Sequence, residues 1–100
     1  MRVEFSREFE KAVRKLSGKM LESVRTVIQE VIDARSIDEL TDCKKLVDYD
    51  YIYRLRIGSY RAFFSFHVQI TDDCVQFLYL VNRGQAYDKK MEKNLQKKDM

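Results

Sequence analysis

Residues Tyr51 to Phe66 read YIYRLRIGSYRAFFSF, and the pattern of a β-hairpin runs through all sixteen positions. Side chains alternate along a strand. Ile52, Arg54 and Arg56 therefore share one face, and Tyr51, Tyr53, Leu55 and Ile57 share the other. Gly58-Ser59 supplies the turn, since glycine as the first central residue suits a two-residue hairpin loop. On the return strand Tyr60, Ala62, Phe64 and Phe66 fall on one side, and Arg61, Phe63, Ser65 and His67 on the other. If the arginine faces coincide, Arg54, Arg56 and Arg61 make a cationic surface on a rigid sheet, suited to a phosphate backbone.

Working outward, the chain opens with a short strand, Arg2 to Phe5. Ser6 is placed to cap a helix from about Arg7 to Leu16, whose Phe9, Val13 and Leu16 recur at helical spacing. Ser17-Gly18 breaks it. A longer helix follows, from about Lys19 to Ala34, with Met20, Leu21, Val24, Val27, Ile28, Val31 and Ile32 as a wide apolar stripe. The two form a helical hairpin over one face of a sheet. Ser36-Ile37-Asp38-Glu39 has the capping-box pattern of a further helical turn, and Lys45 to Val47 reads as a short extended segment. Thr71-Asp72-Asp73 reads as a turn. Val75 to Val81, VQFLYLV, is apolar on both faces, as expected of a central strand covered on both sides.

The expected fold is α+β: an antiparallel sheet with an N-terminal helical hairpin on one face, in the order β-α-α-β-β-β, followed by a helical C-terminal segment. Residues 88–100 are basic, with Tyr87, Met91 and Leu95 on one narrow stripe, so this helix needs something to pack against. One hundred residues bound a single domain over 1–100, and 45% hydrophobic with 35% charged residues marks a folded chain. No apolar run suits a bilayer, and Glu4, Arg7, Glu8 and Glu10 interrupt any signal-peptide pattern. A cytoplasmic location without membrane contact is the expectation.

The formal net charge is +3, but its distribution is uneven. SIDELTDC, residues 36–43, holds three acids and no base. Lys44, Lys45, Arg54, Arg56 and Arg61 then gather against Asp48 and Asp50, and Arg83, Lys89, Lys90, Lys93, Lys97 and Lys98 follow in the tail. Such asymmetry suits a nucleic-acid surface, with Lys44, Lys45, Lys89 and Lys90 as candidate RNA contacts. A solvated charged face is the plainer reading of the tail lysines. Cys43 and Cys74 have no CxxC partner and read as free or buried thiols. Nothing has the spacing of a metal site, and no cofactor is expected. His67 reads as structural, and the tyrosines and phenylalanines of the hairpin as core.

The order of elements, the FSREFEKAVRKL opening, the YRLRIGSYRAFF hairpin and the late NRGQAY, with Arg83 four residues before Tyr87, resemble the RelE/ParE superfamily of bacterial toxins over nearly the whole chain. The resemblance implies the toxin of a type II toxin–antitoxin pair. RelE-like members are ribosome-dependent ribonucleases that cut mRNA in the decoding site, and ParE-like members poison DNA gyrase. Carried over, the RelE pattern makes Arg54, Arg56, Arg61, Arg83 and Tyr87 the candidate catalytic set. Arg54 stands where RelE has a lysine proposed as base, and Ile52 replaces a second lysine. The implied partners are a cognate antitoxin, mRNA and the ribosomal A site, with operator DNA reached only through the antitoxin.

Metal-independent cleavage uses the neighbouring 2′-hydroxyl as nucleophile. Guanidinium groups suit the crowded phosphorane, because their fork matches phosphate oxygens and they stay charged. Arg61 and Arg83 are the candidates for that role, and Tyr87 can stack on a base or stand near the hydroxyl. Arg54 is a poor base, its pKa lying far above physiological pH. The alternatives are therefore a gyrase-directed, ParE-like toxin, or a toxin fold that survives only as a partner-binding domain.

Overall fold

The computed structural model describes residues 1–67 and 74–99, so the turn expected at Thr71-Asp72-Asp73 lies outside the described residues. The elements run β1 (Arg2–Phe5), α1 (Arg7–Arg14), α2 (Gly18–Asp33), a 3₁₀ turn (Ile37–Glu39), β2 (Cys43–Lys45), β3 (Ile52–Ile57), β4 (Tyr60–Phe66), β5 (Cys74–Asn82) and α3 (Lys89–Lys98). The five strands form one sheet in the order β1-β5-β4-β3-β2. Three of its pairings are antiparallel, and β1 runs parallel to β5 along one edge. The α+β fold class holds, with that one parallel pairing added.

Local chemistry explains the helices. Ser6 caps α1, its Oγ accepting from the Phe9 amide at 3.0 Å, and the same hydroxyl donates to the Leu78 carbonyl of β5. Glu8 and Glu10 in the first turn and Lys11 and Arg14 in the last complement the helix dipole. Gly18 starts α2 at a φ of 59°, a left-handed conformation that glycine adopts without penalty. Val24 and Val31 of α2 are fully buried, whereas Ile32 lies outside the stripe at 41% exposure. The expected capping box at Ser36 does not close: Glu39 accepts from the amide of Arg35 rather than that of Ser36, and Ser36 makes no side-chain cap.

The sheet has a core on each face. Phe9, Val24 and Val31 of the first two helices pack on Leu55, Phe64 and Phe77, with the Phe9 and Phe77 ring centroids 5.0 Å apart. On the other face Ile52, Phe63 and Leu78 meet Ala86, Met91 and Leu95. A bulge sets this second face. Phe63 pairs with Tyr79 and Phe64 with Phe77, so Leu78 is the extra residue and both Leu78 and Tyr79 join the cluster under α3. The doubly apolar VQFLYLV strand is accounted for by covering on both sides.

The C-terminal helix is anchored at both ends. Asp88 caps it, accepting from the Met91 amide at 2.8 Å. The Asp99 carboxylate accepts from the amides of Asp50, at 2.9 Å, and Tyr51, at 2.7 Å. Burying Met91 and Leu95 contributes about 1.5–3 kcal/mol each, which offsets the weakness of a short isolated helix. Tyr87 departs from the expected stripe: it precedes the helix and is 60% exposed, while Ala86 takes the buried place. No helix among the described residues is long and apolar enough to cross a membrane.

Candidate active site

The hairpin turn conforms to its sequence. Gly58 has a φ of 57°, and Ser59 is not in the left-handed region. This two-residue loop fixes a register in which Arg56 and Arg61 lie directly opposite each other, with Arg54 opposite Phe63. The arginine faces therefore coincide. Like charges placed opposite across two strands cost stability, yet among the described residues no carboxylate forms an ion pair with Arg54, Arg56 or Arg61.

Arg61 is the most enclosed of the three, at 7% exposure. Its Nη1 donates to the carbonyls of Gly58, at 3.0 Å, and Tyr60, at 2.9 Å, so the turn holds the guanidinium in place. The Nε atoms of both Arg54 and Arg61 are buried with no hydrogen-bond partner in the protein. A buried donor left unpaired costs free energy, so both guanidinium groups are held here at some expense of stability.

Tyr87 closes this surface from the α3 side. Its hydroxyl accepts from Arg54 Nη1 at 3.1 Å. Burial alone would raise its pKa, but hydrogen bonds from Arg54 and Arg61 and the positive charge of both outweigh it and hold the phenol below its usual range. Arg83 stands at the hairpin tip, its amide donating to the Ser59 carbonyl at 2.8 Å and its side chain exposed. Burial, only partly opposed by Arg54, pushes the Cys43 thiol up to about 11, which disfavours the thiolate form that a nucleophile needs.

The lysines separate. Lys44 pairs with Arg54 and extends the cationic face. Lys45 pairs with Tyr53 and points to the opposite side, into a groove it lines with Tyr53 and Phe66, so it does not join the arginines. Strand alternation makes that split unavoidable for two consecutive residues. Lys89 and Lys90 stand exposed in the first turn of α3, next to Tyr87 in sequence. Ile52 is fully buried in the cluster beneath α3, so the position of the second RelE lysine is core here. His67 sits beyond the end of β4 with its ring 4.0 Å from that of Tyr51, away from the arginines. Sequence reasoning missed Asp48 and Glu92, which line a cavity reaching Tyr87. Only the docking of α3 brings them together, so no local signal marked them.

No family model matches the chain. Toxin RelE3 of Methanocaldococcus jannaschii is 28% identical over 89 residues, which cover 88% of this chain and 97% of that protein. The archaeal RelE–RelB complex from Pyrococcus horikoshii OT3 contains a chain with a TM-score of 0.68 and 25% identity, the match covering 85% of this chain and 97% of that one. A free-state double mutant of E. coli toxin RelE superposes with a TM-score of 0.72 over 99% of this chain and 97% of its own, at 18% identity, a likeness of fold. In sequence the chain is similar to RelE toxins, and its fold is RelE-like.

Proposed function

We propose that the chain is the toxin of a toxin–antitoxin pair and cleaves mRNA in the ribosomal A site. The observation that carries this reading is the Tyr87 hydroxyl held at 3.1 Å by Arg54, over arginines that no carboxylate among the described residues neutralises. The scissile phosphate docks on Arg61, with Arg54 and Arg56 beside it. Arg61 and Arg83 stabilise the dianionic phosphorane. Tyr87 takes the proton of the 2′-hydroxyl, a role Arg54 cannot fill and one favoured by a depressed phenol pKa. The leaving 5′-oxygen is protonated from solvent.

The relative from Pyrococcus horikoshii is a RelE in complex with RelB. An acidic antitoxin segment would find on this chain a cationic face that matches its charge. Purified toxin on programmed ribosomes, with mRNA ends mapped, tests the proposal. Discrete cuts in the A-site codon, abolished by Arg61→Ala, are expected. Intact message at high toxin concentration overturns it.

The ParE-like reading rests on Ile52 and Arg54, where RelE-type lysines are missing. Loss of gyrase supercoiling with untouched mRNA would establish it instead. Growth unharmed by expression without antitoxin would point to a partner-binding domain alone.

A further inference from the structure

The second feature of Tyr87 is its other face. A cavity of about 380 Å³ opens between α3 and the loop before β3, and Tyr87 lines it. Its floor is apolar, built from Phe63, Ala86 and Leu95. Its rim carries the carboxylates of Asp48 and Glu92. A third acid, Asp88, is already engaged as the cap of α3. Asp48 holds a φ of 70°, a left-handed conformation that aspartate tolerates better than most residues. Both rim carboxylates act on one neighbour: burial first, then Glu92, Asp99 and Asp48, raise the phenol of Tyr49 above its usual range. Tyr49 in turn donates to the Glu92 carbonyl at 3.4 Å.

The site is thus bipolar about one residue. On one side of Tyr87 stand guanidinium groups, and on the other an apolar slot with acids at its mouth. A phosphate is drawn to the first side and repelled from the second. A nucleobase attached to that phosphate is neutral, has flat apolar faces, and suits a slot between aromatic side chains. The volume lies within the range of small-ligand sites, roughly 300–1,000 Å³.

The carboxylates then select among bases. A carboxylate only accepts hydrogen bonds. Guanine alone offers two adjacent donors on its pairing edge, N1–H and the 2-amino group. Adenine and cytosine set a ring acceptor beside their amino group, and uracil sets carbonyls on both sides of its single N–H. We propose that this cavity binds a guanine base of the RNA substrate and that Asp48 and Glu92 are its specificity-determining residues. The inference rests on the nuclease reading above.

Replacing guanosine by inosine in the A-site codon removes the 2-amino group and nothing else. Wild-type toxin should cut the guanosine message about tenfold faster than the inosine one, the effect of one hydrogen bond to a charged acceptor. Asp48→Gly combined with Glu92→Met keeps the left-handed backbone at position 48 and the side-chain length at position 92 while removing both acceptors. Its guanosine-to-inosine ratio should fall below about twofold. Equal wild-type rates on the two messages overturn the proposal, as does a ratio unchanged in the double variant. A variant that keeps the ratio and escapes antitoxin neutralisation makes the cavity a protein-docking groove instead. Binding of guanosine- and inosine-containing trinucleotides, followed by the amide shifts of Ala86 and Leu95, separates the two levels. Guanosine-selective binding without cleavage keeps the pocket and rejects the nuclease, whereas unselective binding or none rejects the pocket.

Discussion

Arg56 and Arg61 face each other across the β3–β4 pair, directly opposite in register, with no carboxylate among the described residues in ion-pair range of either. A sequence selected for stability alone would place an acid or a threonine at one of these positions. Arg56→Thr is expected to raise stability to urea by about 0.2–1 kcal/mol, the range for relief of a cross-strand repulsion. The same change should weaken RNA binding and reduce the dependence of log affinity on log salt by about 0.7, the value for one single-strand phosphate contact. Urea melts and salt titrations of a short RNA measure the two effects separately.

As the proposed base, Tyr87 would give the site a pH signature. A base works in its deprotonated form, so cleavage should increase with pH and level off only near the phenol pKa. The hydrogen bond from Arg54 places that point below the ordinary tyrosine value of about 10. Tyr87→Phe should flatten the pH profile and lower single-turnover cleavage by about 10²–10⁴-fold. Arg54→Met should leave the slope in place and move the plateau to higher pH, since the donor that stabilises the phenolate is gone. A Tyr87→Phe enzyme with the wild-type profile would leave the ring a stacking role only.

The hairpin was legible because each of its signals is local: alternation, a Gly-Ser turn, and arginines two residues apart. Ser6 as a cap and the two apolar faces of β5 were equally plain. What sequence could not yield depends on docking. Tyr87, Met91 and Leu95 fit one helical stripe, but Asp88 is the better cap, so the helix begins after Tyr87 and leaves it exposed. Lys45 carries the right charge on the wrong face, because it lies opposite Tyr53 while its neighbour Lys44 lies opposite Arg54, a register that only the pairing of β2 with β3 decides. Asp48 and Glu92 are 44 positions apart and meet only once α3 lies on the sheet.

The docking of α3 itself is testable at its far end. Asp99→Ala removes a carboxylate that accepts from the amides of Asp50 and Tyr51. These bonds are partly exposed, so a loss of about 1 kcal/mol is expected. Amide exchange should accelerate across Lys89–Lys98 and leave β4 and β5 protected, because the two cores lie on opposite faces of the sheet. Exchange rising uniformly through the molecule would mean that α3 and the sheet open as one unit.

Ile52 offers the sharpest contrast between family pattern and local physics. A lysine at this position would restore the residue type of the RelE pattern, yet the side chain here is fully buried with Phe63 and Leu95. Ile52→Lys must either bury an ammonium group without a partner or lift α3 to let it reach water. A loss of about 3 kcal/mol or more is expected, against less than about 1.5 for Ile52→Met, which keeps the volume apolar. Urea melts of the two variants give the comparison, and exchange in α3 tells which escape the lysine takes. A variant as stable as wild type that cleaves faster would return position 52 to the catalytic surface.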